Sequence, residues 1–287
     1  MLTALGGGKE ARWSAAGEHN WTNAWALDVG GRRYFVKTAA AHRAAMLEAE
    51  CDGLAALAAT GAIGVPHVHA CGGTDETAYL VLDWIELHGT GGGAQLGRAL
   101  ADLHRAPVPC GSNGERFGYA RDNFIGATPQ RNGWSDDWAA FFRDSRLAPQ
   151  LDLAARNGFG AKLARDGERL LAALPALFGN YDPPPSLLHG DLWSGNAGTR
   201  VSGEPVIFDP AFYVGDRETD LAMTELFGGF GAGFHAAYRS AWPLAPGYAQ
   251  RREVYNLYHL LNHLNLFGAG YLSRSRDTIA ALLGQAI

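Results

Sequence analysis

The chain has 287 residues, of which 47% are apolar and 18% charged, a balance typical of a folded globular protein with room for two lobes of ordinary size. Its formal net charge is −5 and no run of Lys or Arg is long enough to follow a nucleic-acid backbone, so we expect no nucleic-acid partner. The sequence shows neither an export signal nor an apolar stretch of membrane-spanning length, so we expect no membrane partner.

The first predicted element is a small antiparallel sheet. Residues 13–37 are rich in Trp, Tyr, Phe and Val and have turn signals at Gly17-Glu18 and Gly30-Gly31, which predicts two or three short strands. We expect the first turn to lie over a ligand. Lys37 ends this segment, and it is either an exposed strand end or a cation that binds the α- and β-phosphates of ATP.

The next segment, residues 42–60, is rich in Ala and Leu and is followed by Gly61, which predicts a helix. Its inward stripe has spacings of four, four and three residues and comprises Met46, Glu50, Leu54 and Leu57. Glu48 falls on the opposite face and is assigned to solvent. A carboxylate within an apolar stripe needs a cation, so Glu50 is predicted to pair with Lys37, as a strand lysine and a helix glutamate do in protein-kinase-like folds.

Two more strands are predicted at residues 65–70 and 78–85, and a Gly-rich stretch after them marks the boundary between two lobes. We place the hinge at about residues 83–93, with an ATP-binding lobe at 1–86 and a catalytic and substrate-binding lobe at 87–287. Adenine is expected to lie against backbone groups of the hinge residues Asp83, Trp84, Ile85 and Glu86.

The segment LLHGDLWSGN at residues 187–196 and the run VIFDP at 206–210 have the spacing of a phosphoryl-transfer loop. That chemistry needs one carboxylate to deprotonate the attacking hydroxyl, and an amide with a second carboxylate to hold Mg²⁺ on the ATP phosphates. Asp191 is therefore predicted to be the base, and Asn196 and Asp209 the magnesium ligands. Each piece alone would also suit an ordinary turn, but their combination with the upstream ion pair favours the catalytic interpretation.

Two segments are candidates for the acceptor site. Residues 117–138 are aromatic and have no regular period, so they either pack on the surface of the second lobe or border the acceptor. The acid-rich run GDRETD at 215–220 suits the first turn of a solvated helix, and it equally suits contact with an acceptor that carries an amine or several hydroxyls. Asp216 and Glu218 are the candidates within it.

His259 and His263 lie four residues apart on a helix predicted over 251–267, which is the spacing of a zinc pair. There is no Glu between them and no third ligand in view. The helix also carries a core stripe made of Val254, Leu257, Leu261 and Leu264. We therefore expect the two histidines to make hydrogen bonds within the lobe or beside the substrate.

Seven segments together resemble the fructosamine kinase (ketosamine 3-kinase) family of the aminoglycoside-phosphotransferase-like superfamily. They cover nearly the whole chain and are YFVKT, MLEAE, DNFIGATPQ, LLHGDLWSGN, FDPAFY, GDRETDLAMTELFGGF and YNLYHLLNHLNLFGAGY. The resemblance implies an α+β, protein-kinase-like fold with a sheet and a helix in the N-terminal lobe and a mainly helical C-terminal lobe. It also implies Mg²⁺- and ATP-dependent phosphorylation of the sugar 3-hydroxyl of a free or protein-bound ketosamine, with Trp193 facing the sugar.

The remaining expectations concern location, assembly and rival functions. The three cysteines form no CxxC pair, which argues against a zinc ribbon or a disulfide framework and favours a reducing compartment, so we expect a cytoplasmic protein, and a monomer. A kinase for another amine-bearing or hydroxylated metabolite, such as an aminoglycoside or choline, is the rival enzyme. A non-catalytic nucleotide-binding module is the rival from another class.

Overall fold

The computed structural model describes residues 11–18, 21–90 and 93–285. The strands are, in chain order, β1 (Arg12–Glu18), β2 (Asn23–Val29), β3 (Arg32–Ala40), β4 (Val68–Gly73), β5 (Thr77–Asp83), β6 (Leu87–Thr90), β7 (Asn123–Ile125), β8 (Thr128–Gln130), β9 (Pro185–Leu188), β10 (Ala197–Arg200), β11 (Pro205–Ile207) and β12 (Tyr213–Asp216). The α-helices are α1 (Ala44–Ala58), α2 (Ala94–Arg105), α3 (Trp138–Phe142), α4 (Ala148–Arg156), α5 (Ala161–Phe178), α6 (Glu218–Leu226), α7 (Ala232–Ala241), α8 (Tyr248–Phe267) and α9 (Leu272–Gln285). Parts of the turn after β1 and of the Gly-rich stretch after β6, residues 19–20 and 91–92, lie outside the described residues.

The first lobe is a five-stranded antiparallel sheet in the order β1-β2-β3-β5-β4, with α1 packed on one face. Side chains of a strand alternate between the two faces of a sheet. Phe35 and Ala39 belong to the apolar cluster beneath α1, and Val36 belongs to the cluster on the other face. Lys37 shares the α1 face with Phe35 and Ala39, so the strand period aims this lysine at the helix.

The second lobe is mainly helical. Its largest apolar cluster is built around α8, and the predicted stripe of that helix is fully buried, with Val254 at 1% exposure and Leu257, Leu261 and Leu264 at 0%. Aromatic rings of α3 pack on the same helix, because Trp138 and Phe142 both contact Tyr255. These features confirm the predicted two-lobed α+β fold.

Short strand pairs in the second lobe position the two predicted catalytic segments. The strand β9 pairs with β12 and ends at Leu188, directly before the His-Gly-Asp turn. The strand β11 pairs with β10 and ends at Ile207, two residues before Asp209. The same small sheet includes β6, which lies within the predicted hinge and pairs with β10, the strand that follows Asn196.

Two features complete the fold. The aromatic segment 117–138 contains the hairpin β7–β8, whose three-residue strands are too short to give a periodic signal in the sequence. Among the described residues, no helix combines the length and the apolar character needed to cross a membrane.

Candidate active site

The His-Gly-Asp turn is held from behind by a buried carboxylate. Asp220, which is 1% exposed, accepts hydrogen bonds from the backbone N–H groups of His189 at 2.8 Å and Gly190 at 2.9 Å. The Nε2 atom of His104 lies 3.2 Å from the same carboxylate. Gly190 has a φ of +82°, and a Cβ at this position would collide with the carbonyl oxygen of Ala211. The turn is therefore fixed on one side by Asp220 and packed on the other against the segment that follows Asp209.

The structure brings Asp191, Asn196 and Asp209 together. The side-chain nitrogen of Asn196 donates to the backbone oxygen of Asp191 at 2.9 Å and lies 3.3 Å from its Oδ2 atom. The backbone N–H of Phe208 donates to the carbonyl of Asn196 at 3.0 Å, which joins the two segments directly. All three predicted side chains line one cavity. Because the nitrogen of Asn196 is committed to Asp191, its Oδ1 atom is the group left to meet a cation.

Lys37 joins the two lobes through a buried ion-pair cluster. Its Nζ atom lies 2.8 and 2.9 Å from the carboxylate oxygens of Glu50 and 2.6 Å from Oδ1 of Asp209. Burial by itself lowers the pKa of Lys37, but the two carboxylates outweigh it, so the pKa lies above its usual range and the ammonium stays charged. Burial raises the pKa of Glu50 against the opposing effect of Lys37. The predicted pairing of Lys37 with Glu50 is present, and Glu48 is exposed and faces Arg121.

Two cavities meet at Trp193, Asn196 and Asp209. The apolar cavity has a volume of about 410 Å³ and is lined by Phe35, Leu82, Asp83, Trp84, Ile85 and Phe208. The polar cavity has a volume of about 170 Å³ and is lined by Trp21, Lys37, Glu50, Asn123, Phe124 and Asp191. Three of the four predicted hinge residues therefore border the apolar cavity, whereas Glu86 is exposed and lies outside its lining.

Trp193 is positioned by the glycine two residues later. A Cβ on Gly195 would collide with the ring of Trp193, so the indole lies directly over that backbone. The side chain of Trp193 is 42% exposed and borders both cavities. An aromatic face at this junction can pack against the ring of a bound molecule.

The carboxyl group of Asp191 has the electrostatic character of a general base that works near neutral pH. Burial, followed by repulsion from Asp209 and Asp220, raises the pKa of Asp191 to about 7, and the hydrogen bond from Asn196 opposes this rise. A base with a pKa near the working pH combines a useful ionised fraction with a real affinity for protons. Asp191 can therefore take a proton from a hydroxyl group in the polar cavity.

This pKa predicts the pH dependence of turnover. Because the base acts only when it is ionised, kcat/KM should rise as the pH increases through about 7 and then level off. The measurement is a kcat/KM profile between about pH 5.5 and 8.5, with thermal melting over the same range to show that the protein stays folded. A profile that is flat across neutral pH while the fold persists would contradict the assignment of the rising limb to Asp191.

The metal-binding capacity of the site is modest. The part of the chain that the structure describes contains no group of three or more His, Cys, Asp or Glu side chains that could hold a metal ion. Asn196 and Asp209 offer an amide oxygen and a carboxylate, which are the hard oxygen ligands that Mg²⁺ prefers. Mg²⁺ commonly binds through one or two protein groups together with phosphate oxygens and water, so this donor set fits a magnesium ion that arrives with a nucleotide.

The prediction that Asp216 and Glu218 contact a substrate was wrong, and so was its solvated alternative. Both side chains are 0% exposed, and neither lines the two cavities. Glu218 forms a two-bond ion pair with Arg251 at 2.7 and 2.9 Å, and Asp216 accepts hydrogen bonds from Tyr181 and Tyr255. These carboxylates are buried because a cation and two hydroxyl groups from distant segments meet them. They stabilise the interior of the second lobe.

His259 and His263 also line neither cavity. His259 is 4% exposed within α8, and burial lowers its pKa to about 3, so it is neutral. His263 donates from Nδ1 to the carbonyl oxygen of His259 at 2.8 Å, and its ring contacts Phe227. The ring of His263 therefore makes a hydrogen bond within the lobe, which was one of the two expectations, whereas the buried Nδ1 atom of His259 has no hydrogen-bond partner among the described residues. The structure does not bring either histidine to the cleft.

Four residues that contribute to the site were not singled out from the sequence. Asp220 belongs to the acid-rich run but was not separated from its neighbours, although it is the residue that holds the turn. Trp21 lines the polar cavity from the turn before β2. Asn123 and Phe124 line it from the hairpin β7–β8, and the irregular aromatic composition of residues 117–138 was the available signal.

Sequence comparisons give a consistent result. A family model described as fructosamine kinase matches residues 9–285. A Synechocystis protein named "Probable ketoamine kinase" is 47% identical over 262 residues, which cover 90% of this chain and 86% of that protein. A chloroplastic protein-ribulosamine 3-kinase from Arabidopsis thaliana is 41% identical over 262 residues, which cover 91% of this chain and 78% of that protein.

Solved structures extend this likeness to the fold. A candidate fructosamine-3-kinase from Haemophilus somnus has a TM-score of 0.88 at 27% identity, and the match covers 98% of this chain and 95% of that chain. Aminoglycoside phosphotransferases of known structure share the two-lobed architecture at lower identity, and their likeness concerns the fold alone.

Proposed function

Because this chain belongs to the fructosamine kinase family, we propose that it is an ATP-dependent kinase that phosphorylates the 3-hydroxyl group of ketosamines. The observation that carries the proposal is the convergence of Asp191, Asn196 and Asp209 below the Lys37–Glu50 pair, at the junction of an apolar and a polar cavity. An apolar chamber beside a cluster of charged side chains suits a molecule with a flat base at one end and phosphates at the other.

The nucleotide would lie across the cleft between the lobes. The apolar cavity offers Phe35 and Trp84 to the adenine ring, and the backbone of residues 83–86 offers hydrogen-bonding groups to its edge. Lys37, oriented by Glu50, would bind the α- and β-phosphates. Lys37 now also contacts Asp209, so phosphate oxygens would share the ammonium with that carboxylate.

Asn196 and Asp209 would hold the magnesium ion. A magnesium ion there would supply positive charge that offsets the charge on the transferred phosphoryl group. Asn196 would contribute Oδ1, because its nitrogen is bonded to Asp191. Asp209 contacts Lys37, so as a metal ligand it would couple the position of the metal to the position of the phosphates.

The acceptor would occupy the polar cavity. Asp191 would receive the proton of the sugar 3-hydroxyl as that oxygen bonds to the γ-phosphorus of ATP, and the bond from this phosphorus to the bridging oxygen would break, with ADP as the leaving group. The hydrogen bond from Asn196 keeps the carboxylate oriented. Trp193 presents its indole face to the sugar ring. A phosphate on carbon 3 makes the adduct prone to lose its amine, so we expect the reaction to initiate deglycation.

Three further proposals concern organisation. The lobe boundary lies between residues 86 and 87, because β6 pairs with β10 of the second lobe. The enzyme is proposed to be a monomer, a state that is compatible with a site whose proposed residues all come from one chain. It is cytoplasmic, which is consistent with the free thiols of Cys51, Cys71 and Cys110.

A substrate panel tests the proposed function. The protein is mixed with ATP, Mg²⁺ and, separately, fructosamine and ribulosamine adducts of lysine, the same adducts on a protein, an aminoglycoside, and choline. Phosphorus NMR, correlated to the sugar protons, reports which hydroxyl group acquires phosphate. We expect phosphorylation of carbon 3 in the ketosamines, and the Asp191→Asn variant prepared in parallel serves as the control for contaminating kinases.

The other outcomes identify the rivals. Phosphate that appears only on the aminoglycoside or on choline would replace the ketosamine assignment with another small-molecule kinase. Nucleotide binding without transfer to any acceptor would indicate a non-catalytic module. Phosphate on a sugar hydroxyl other than that of carbon 3 would contradict the proposed regiochemistry.

A further inference from the structure

A buried network of side-chain amides lies behind the segment that follows Asp209. It comprises Asn123, Gln130, Asn132 and Arg146, which are 6%, 1%, 0% and 0% exposed. Two of its members bind backbone carbonyls of the segment after Asp209. Asn123 donates from Nδ2 to the oxygen of Phe212 at 2.6 Å, and Gln130 donates from Nε2 to the oxygen of Ala211 at 3.1 Å. Asn123 also lines the polar cavity, whereas Gln130, Asn132 and Arg146 have no role in the mechanism given above.

The direction of every bond in the network is determined by its outer members. Arg146 has only donors, and it donates to Oδ1 of Asn132 at 2.7 Å. The Nδ2 atom of Asn132 then faces Oδ1 of Asn123 at 3.0 Å, which leaves the nitrogen of Asn123 to donate to Phe212. In the second branch the carbonyl of Ala211 can only accept, so the nitrogen of Gln130 faces it, and Oε1 of Gln130 accepts from the hydroxyl of Tyr258 at 2.7 Å. Both branches therefore present N–H groups, and no acceptors, to the backbone carbonyls of Ala211 and Phe212.

The segment they hold directly follows Asp209, which is the non-glycine residue with a left-handed backbone conformation in the part of the chain that the structure describes. Asp209 has a φ of 59°, in the left-handed region that residues with a Cβ adopt only when the surroundings impose it. On the C-terminal side of Asp209, the backbone N–H of Ala211 donates to the carbonyl of His189 at 2.8 Å, and Gly190 packs on the carbonyl of Ala211. The two catalytic segments therefore meet at Ala211, and Gln130 donates to the carbonyl at that meeting point.

We propose that Gln130, supported by Asn123, is a positioning residue that holds residues 210–212 so that Asp209 keeps the backbone conformation in which its carboxylate faces the nucleotide phosphates and their metal. The proposal rests on the proposed function only for the identity of that nucleotide and metal. Gln130 itself lines neither cavity, so it acts through Asp209 and not by contact with a ligand.

Substitution of Gln130 by Glu tests this role with little change in side-chain shape. The variant replaces the donating nitrogen by an oxygen that faces two acceptors, Oδ1 of Asn123 at 2.7 Å and the oxygen of Ala211 at 3.1 Å. Repulsion between these oxygens displaces the segment unless the introduced carboxyl is protonated, in which case its O–H restores one donor. The same exchange of amide for acid at Asn256 is the matched control, because Asn256 is 6% exposed on α8 and, in the part of the chain that the structure describes, makes no hydrogen bond to residues 209–212.

The primary readout is nucleotide binding, measured by calorimetry with ATP in the presence and absence of Mg²⁺. For Gln130→Glu we expect the gain in ATP affinity that Mg²⁺ provides to fall by about tenfold, while the affinity for metal-free ATP changes by less than about twofold. The Asn256→Asp control should keep the wild-type gain. Turnover supplies the second readout: kcat should fall with little change in the KM for ketosamine, and the ratio of variant kcat to wild-type kcat at the same pH should rise as the pH is lowered.

A further variant and two outcomes make the test decisive. Gln130→Met removes the donors without adding charge, and it should shift the Mg²⁺ effect in the same direction by a smaller factor and show no recovery at low pH. A wild-type Mg²⁺ effect in both Gln130 variants overturns the proposal. So does an equal loss of metal-free binding, Mg²⁺ effect and melting temperature in Gln130→Glu and Asn256→Asp, because that pattern reports general damage to the lobe. The binding measurements need no acceptor, so a failure of ketosamine turnover in the wild type would reject the proposed function and leave this test intact.

Discussion

Replacing Asp191 with Asn is expected to lower kcat by about 10²–10⁴-fold, the range that a positioned general base supplies. The change removes the group that takes the acceptor proton and preserves the local shape, since an Asn side chain can present its oxygen to the nitrogen of Asn196. Nucleotide affinity should change little, because Lys37, Asn196 and Asp209 all remain. The measurement is steady-state kinetics with a ketosamine acceptor, together with ATP binding by calorimetry.

The pH profile of the residual activity provides the control for this variant. If Asp191 is responsible for the rising limb of the pH profile, the limb near pH 7 should disappear in Asp191→Asn. Thermal melting should show a folded protein, because the turn is anchored by Asp220 through the backbone of His189 and Gly190 and not through Asp191. A variant with nearly full activity, or one that keeps the wild-type pH limb, would show that another group is the base.

Local periodicity predicted much of this site. The four-residue spacing of α1 placed Glu50 inward and Glu48 outward, and the alternation of β3 aimed Lys37 at the same helix. Both patterns depend only on residues that are close in the sequence. They are reliable because a shift of one residue in the helix or strand would move a whole apolar stripe to the surface. The order of Asp191, Asn196 and Asp209 was equally informative, since the chemistry of phosphoryl transfer constrains residue type and spacing together.

Partners supplied by distant segments could not be predicted in this way. Asp216 ends β12, and Glu218 and Asp220 lie in the first turn of α6, yet each is buried against a different partner: two tyrosines, Arg251, and the backbone of the catalytic turn. A carboxylate in sequence looks the same whether it meets water, a substrate or a cation 33 residues away. Burial depends on tertiary contacts, and the sequence of the run alone does not encode them.

The amide network illustrates the same limit for neutral side chains. Asn123, Gln130 and Asn132 lie within ten residues of one another, but their shared function depends on Ala211 and Phe212, about 80–90 residues later. Short strands and turns bring them together without a periodic signal. A dense cluster of amides in an otherwise aromatic segment was the only trace in the sequence.

Replacing Lys37 with Met is expected to lower kcat/KM by about 10²–10³-fold, the loss that follows removal of one preorganised electrostatic group. It should also destabilise the fold by about 3–5 kcal/mol, because Glu50 and Asp209 lose the cation that lies 2.8 and 2.6 Å from them. Burial already raises the pKa of Glu50, and without Lys37 the pKa rises further above that of the unfolded chain. A raised pKa in the folded state favours the protonated form, so the free energy of unfolding of the variant should increase as the pH falls below the folded-state pKa.

Adding Glu50→Gln to Lys37→Met separates stability from catalysis. The second change removes the stranded buried charge, so the double variant should regain much of the lost free energy of unfolding and lose the pH dependence that Glu50 introduced, while kcat/KM stays low. Denaturant unfolding at two pH values and ATP binding by calorimetry measure the two effects independently. Glu48→Gln, on the same helix but exposed, is the matched control and should behave as the wild type. A double variant that regained activity together with stability would show that the lysine holds α1 in place and does not act on the phosphates.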